Sequence, residues 1–140
     1  MKTIVPVVIL LLFSSGISGC LEESRGPDSH IDESHIYIRE NGVHTTLCEQ
    51  SIVLVGGEAY TCTFTTTRDL HVIIYVDISS DSDPIDLITM DDMNYQKWQD
   101  GEGYYSIESH TDLGTFGGNY GEDTALPDGD WNVVFHNVPG

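Results

Sequence analysis

The amino-acid sequence predicts an all-β fold, an antiparallel β-sandwich or jelly roll of about seven strands with one short helix. Leu70, Val72, Ile74, Val76 and Ile78 alternate with His71, Tyr75 and Asp77, the period-two pattern of a strand with one face on a core. Some seven short strands follow at intervals of roughly ten residues, with turn-forming clusters such as Asn41-Gly42, Gly56-Gly57-Glu58, Ser79 to Pro84 and Pro127-Asp128-Gly129 among the breaks. A helix is offered only by the stretch from Asp91 to Trp98, with Asp91 placed to cap it.

The N-terminal part reads differently from the rest. Met1-Lys2 supplies a positive charge, Ile4 to Phe13 is apolar apart from Pro6, and Ile17-Ser18-Gly19-Cys20 follows. This is the layout of a secretory signal peptide, too short to span a bilayer stably. Its end resembles the lipobox of prokaryotic lipoproteins, in which the Cys is lipidated and becomes the mature N-terminus. Residues 1–19 are therefore expected to be removed, and Cys20 to carry acyl chains that hold the protein on the outer side of the cell membrane. Residues 20–34, with Glu22, Glu23, Pro27, Asp28 and Asp32, read as a flexible acidic tether, and residues 35–140 as the folded domain.

Charge limits the partners. The formal net charge is −18 from 23 acidic residues. Loss of residues 1–19 also takes Lys2 away, leaving Arg25, Arg39, Arg68 and Lys97 as the basic side chains. Such an excess repels itself unless salt screens it, since the Debye length falls to about 3 Å at 1 M. The composition fits a halophilic or marine archaeal protein, with an acidic bacterial lipoprotein as the alternative. Nucleic acid and anionic lipid headgroups are poor partners for this surface.

With Cys20 lipidated, Cys48 and Cys62 form an even pair outside the cell, which implies a disulfide. They flank Gly56-Gly57, as in two neighbouring antiparallel strands or a strand and its adjoining loop. Closing a loop of about 14 residues is worth on the order of 3 kcal/mol. There is no Cys-x-x-Cys spacing, so the role is a structural staple.

The strands follow in order. Ile36 and Ile38 alternate with His35, Tyr37 and Arg39 up to Asn41-Gly42. Val43 to Val55 ends in a continuous apolar run, the mark of a strand buried on both sides. Tyr60, Cys62 and Phe64 oppose Thr61, Thr63 and Thr65, giving one apolar and one solvated face. After the central strand and the short run Ile85 to Met90, Tyr104 to Ile107 reads as another strand. Ser109 to Asp123, rich in Gly, reads as a loop with one edge strand, and Trp131 to Val138 as the last strand with Trp131, Val133 and Phe135 on one face.

Two stretches, Ile85 to Trp98 and Leu126 to Asn137, resemble GOLD-type β-sandwich modules: a strand ending in a Met-Asp step, an Asn-Tyr helical turn, and closure on Pro-x-Gly followed by aromatic, aliphatic and Asn residues. The likeness covers roughly Ala59 to Asn137. It implies a non-catalytic domain making protein or ligand contacts outside the cytoplasm. Eukaryotic GOLD domains carry a Cys in the closing strand where this chain has Val134, so their cargo-receptor role does not carry over and the Cys48–Cys62 bridge is wired differently.

Several residues qualify as site candidates. Asp81, Asp83, Asp128 and Asp130, like Asp91-Asp92, offer oxygen ligands for a weak Ca²⁺ site, although no EF-hand loop is present. Tyr104, Tyr105 and Trp131 offer rings for stacking on a glycan or an envelope protein. His71 and His136 lie on outward phases and would meet if their strands shared a sheet. Ser109, His110 and Asp112 hold the atoms of a nucleophilic triad, but near-consecutive residues point apart and no Gly-x-Ser-x-Gly elbow exists. Gly114 to Gly121 lacks the Gly-Lys-Ser/Thr ending of a phosphate loop. The sequence thus points to a lipid-anchored interaction or structural module without catalytic chemistry, and second to a solute- or carbohydrate-binding lipoprotein.

Overall fold

A computed structural model describes residues 28–138. The expected signal peptide and Cys20 lie outside the described residues, as does most of the expected tether. The chain forms β1 (Ser29–Glu40), β2 (Val43–Leu54), β3 (Ala59–Thr66), β4 (Leu70–Ile78) and β5 (Ile85–Asp91), then helix α1 (Asp92–Gln99) and a 3₁₀ turn (Glu108–His110). It closes with β6 (Asp112–Thr115), β7 (Gly117–Tyr120), β8 (Ala125–Leu126) and β9 (Gly129–His136). One sheet has the order β2-β1-β4-β7, with β8 also on β4; the other is β3-β9-β5-β6. All pairings are antiparallel. This is an antiparallel β-sandwich, and its strand orders are those of a jelly roll in which β1 takes the place of a strand following β9.

Period-two burial builds the core. Leu70, Val72, Ile74, Val76 and Ile78 of β4 face Tyr60, Cys62 and Phe64 of β3, Ile85 and Leu87 of β5, and Trp131, Val133 and Phe135 of β9. The opposite phase of the second sheet is also covered. Ile88, Met90 and Val134 form a smaller cluster with Ala59, Tyr95, Trp98 and Tyr104, placing α1 over that outer face.

The ends are closed by polar groups rather than apolar ones. At one end the buried Asn137 Nδ2 donates to Ser29 Oγ (2.6 Å) and to the Leu54 carbonyl (3.3 Å), while Ser29 Oγ donates to the Asp83 carbonyl (3.0 Å). That network joins the start of β1, the end of β2, the β4–β5 loop and the end of β9. At the other end the Pro127 carbonyl accepts from Thr66 Oγ1 (2.8 Å) and Trp131 Nε1 (3.0 Å). An Arg68–Glu40 ion pair lies at the same end, on the surface.

Five details depart from the sequence-based expectations. β1 begins at Ser29, ahead of the expected domain start at His35, because Ser29, Ile31 and Ser34 are buried. β2 is an exposed edge strand, not one buried on both sides. Residues 104–107 form no strand: Asn94 Oδ1 takes the Tyr105 N–H (2.9 Å), leaving the Ile107 N–H to bond the Thr89 carbonyl (2.9 Å). The Gly-rich stretch forms β6 and β7. Lastly, the Cys48–Cys62 disulfide joins β2 and β3, which lie in different sheets, with Cα atoms 6.3 Å apart. It therefore ties the two sheets together along one edge, where neighbouring strands of a single sheet had been one expectation.

Tyr60 is the one apolar-core side chain whose hydroxyl has no hydrogen-bond partner among the described residues. Burial pushes its phenol up to about 12. Leaving such a group unsatisfied costs about 1–3 kcal/mol. Tyr60→Phe keeps the ring contact with Phe135 (centroids 5.5 Å apart) and is expected to raise the free energy of unfolding by about 1 kcal/mol in denaturant titrations. A loss of that size would show that the hydroxyl is bonded.

Candidate functional site

Helix α1 is short and weakly amphipathic, so local contacts fix it. Asp91 Oδ1 accepts from both the backbone N–H and the side-chain amide of Asn94, each at 2.9 Å. Asn94 Oδ1 then holds the Tyr105 backbone, so one buried amide ties the first helical turn to the segment after the helix. Farther along, Trp98 packs parallel to Tyr95 (6.0 Å) and edge-on to His136 (5.3 Å). Burial lowers the pKa of His136, opposed by the nearby Asp86 charge and a backbone hydrogen bond at Gly57.

Two hollows flank α1. The larger, about 330 Å³, lies between the helix and the outward face of β3 and β9 and is lined by Thr61, Thr63, Asp92, Tyr95, Gln96, Gln99 and Asn132. Thr63 Oγ1 donates to Asn132 Oδ1 (3.0 Å), and Asn132 Nδ2 donates to Asp92 Oδ1 (2.8 Å). Tyr95 Oη donates to Thr61 Oγ1 (3.3 Å) and accepts from Gln99 Nε2 (3.2 Å), while Gln96 Nε2 donates to Asp100 Oδ1 (3.2 Å). The smaller, about 190 Å³, is lined by Met90, Asp91, Asn94, Tyr105, Ser106, Ile107 and Trp131.

The three aromatic candidates are thus only partly brought together. Tyr105 is 82% exposed and shares the smaller hollow with Trp131, whose ring is 5% exposed and whose indole N–H is held by Pro127. Tyr104 packs elsewhere, in the cluster under α1, where burial and then the Asp86 charge raise its pKa.

The acidic candidates are separated. Asp81 and Asp83 sit in the loop after β4, Asp128 in the turn before β9 and Asp130 at the start of β9, beside the start of β4, so the two pairs lie at opposite ends of the sandwich. Asp130 Oδ1 accepts from Thr65 Oγ1 (2.7 Å). Among the described residues no group of three or more His, Cys, Asp or Glu side chains can hold a metal ion. His71 and His136 belong to opposite sheets and do not meet. Instead His35, Tyr37 and His44 form a row of rings on the outer face of β1 and β2, successive centroids 4.7 Å apart.

Ser109, His110 and Asp112 form no proton relay. Asp112 accepts from Tyr120 Oη (2.8 Å), while His110 bonds Ser109 Oγ through Nδ1 and the Val72 carbonyl through Nε2, each at 2.9 Å. The fully buried His110 fills the gap on β4 between β7 and β8, and the absent side chain of Gly121 makes room for it: a Cβ there would lie 2.2 Å from Nε2.

Sequence reasoning missed the larger groove as a site. Its signal was the Thr phase of β3, read as a solvated face, together with Asn132 at an outward position of β9. No family model, no curated protein and no solved structure matches this chain.

Burial lowers the His110 pKa, the Val72 hydrogen bond opposes the shift, and nearby His71 adds to it. The unfolded chain therefore binds the proton more readily, so stability from this group is intact above pH 6.5 and is lost as pH falls through the folded value. NMR titration is expected to give ring midpoints below 6.5 for His110 and for His136. A midpoint at or above 6.5 for His110 would contradict its buried, neutral placement.

Proposed function

We propose that this chain is a non-catalytic interaction module, a β-sandwich anchored by lipid at Cys20 to the outer face of a cell membrane. The observation that carries the reading is the Cys48–Cys62 bridge, since structural disulfides persist in oxidising, extracytoplasmic surroundings. The Ile17-Ser18-Gly19-Cys20 stretch adds the anchor. Commitment of His110 and Asp112 to structural hydrogen bonds favours contact-making over catalysis. The GOLD-type likeness of Ile85 to Trp98 and Leu126 to Asn137 points the same way. With a net charge of −18, the working environment we propose is salty, as for a halophilic archaeal protein, and the partner is an envelope protein or a glycan.

The solute- or carbohydrate-binding reading has an observation of its own: two hollows beside α1, the larger lined by polar side chains and the smaller bearing the exposed Tyr105 ring.

Cys20→Ser removes the acylation site and is expected to move the protein from the membrane fraction to the soluble fraction, with the fold unchanged by circular dichroism. Unchanged membrane fractionation of the variant would overturn the lipid anchor.

A further inference from the structure

We propose that the groove between α1 and the outer face of β3 and β9 binds a neutral polyhydroxylated ligand of sugar size, an inference that rests on the solute-binding reading. The first support is a contrast within β9. Asn132 and Val134 occupy equivalent outward positions, and both are buried. Val134 packs against Ala59, Tyr95 and Trp98, whereas Asn132, 2% exposed, takes part in a hydrogen-bonded chain from Thr63 to Asp92. A buried polar network is often no more stable than apolar packing of the same volume. Continuing the Val134 contacts toward the N-terminal end of α1 would have closed the groove. Instead Asp92 of the helix meets Asn132 through a hydrogen bond, and beside that contact about 330 Å³ is left open, at the lower end of the range that holds small molecules.

The second support is the chemistry of the lining. Three hydroxyls (Thr61, Thr63, Tyr95), three amides (Gln96, Gln99, Asn132) and the Asp92 carboxylate supply both donors and acceptors, as the hydroxyls of a sugar require. None of the lining residues is basic, so the groove offers no counter-charge to a phosphate or carboxylate, and a protein of net charge −18 repels both. The hydrogen bonds among Thr63, Asn132 and Asp92 fix these groups before a ligand arrives, which lowers the ordering cost of binding. The exposed Gln96 and Gln99 supply the adjustable rim, and Tyr95, held parallel to Trp98, supplies a ring wall.

The test is binding of the full-length protein, solubilised in detergent, to an array of neutral, amino and acidic saccharides, with spermidine as a separate cationic probe. The expected result is retention on neutral saccharides. That binding should weaken at least tenfold in Gln96→Ala/Gln99→Ala and stay unchanged in Tyr105→Ala, both with unaltered melting temperatures. Asn132→Leu should lose binding while melting no lower than the parent, which a merely structural asparagine would not permit. Saccharide binding lost in Tyr105→Ala but kept in the groove variants would overturn this site and leave the solute-binding reading standing. Binding of spermidine alone, abolished by the groove variants, would overturn the polyol assignment. Retention of none of the probes would overturn both the groove proposal and the solute-binding reading.

Discussion

The phase in which β4 and β9 bury alternate side chains against one another sets every other feature of this molecule. Each is a central strand of its sheet, and each presents one aliphatic or aromatic row to the other. Side chains on a strand alternate with period two, so a slip of one residue would exchange the two faces completely. With Trp131, Val133 and Phe135 inward, Asn132, Val134 and His136 become the floor on which α1 rests. The buried apolar patch under Trp98 and the polar groove beside it are two stretches of that same floor.

Closure along one edge follows from the same geometry. β2 and β3 are the flanking strands of opposite sheets and succeed one another in sequence, so Cys48 and Cys62 meet across the sandwich. Because 14 residues separate them, the link removes on the order of 3 kcal/mol of unfolded-chain entropy. The opposite flank has no such bond. There the gap between β7 and β8 is filled by the His110 ring, and the chain must come so close to β4 that glycine is required: a Cβ on Gly117 would lie 2.6 Å from the Val76 carbonyl. A covalent tie on one side and close backbone packing on the other leave the helix-bearing face of the second sheet as a fixed surface.

Strong alternation made the core legible in the sequence. The rows of β3, β4 and β9, the Asn41-Gly42 hairpin with both residues at positive φ, and the Asp91 cap were all readable locally. What escaped was whatever depends on neighbours distant in sequence. Val53 and Ile52 look the same in an edge strand as in a central one, so the place of β2 was misjudged. Gly117 reads as loop because composition does not reveal that its close approach to β4 demands a glycine. Tyr104 to Ile107 had strand-like residues, but their backbone bonds were claimed by Asn94 and Thr89. The groove was hidden for a related reason: the Thr residues of β3 face a helix that no local pattern places above them.

The unfolding free energy of Phe135→Ala, measured by denaturant titration against the parent domain, tests the inward phase of β9 most directly. Phe135 is fully buried against Tyr60, so its truncation should cost about 3–5 kcal/mol. A loss of no more than about 0.5 kcal/mol, the range of ordinary surface substitutions, would mean that this row does not face the core, and the floor beneath α1 would have to be assigned anew.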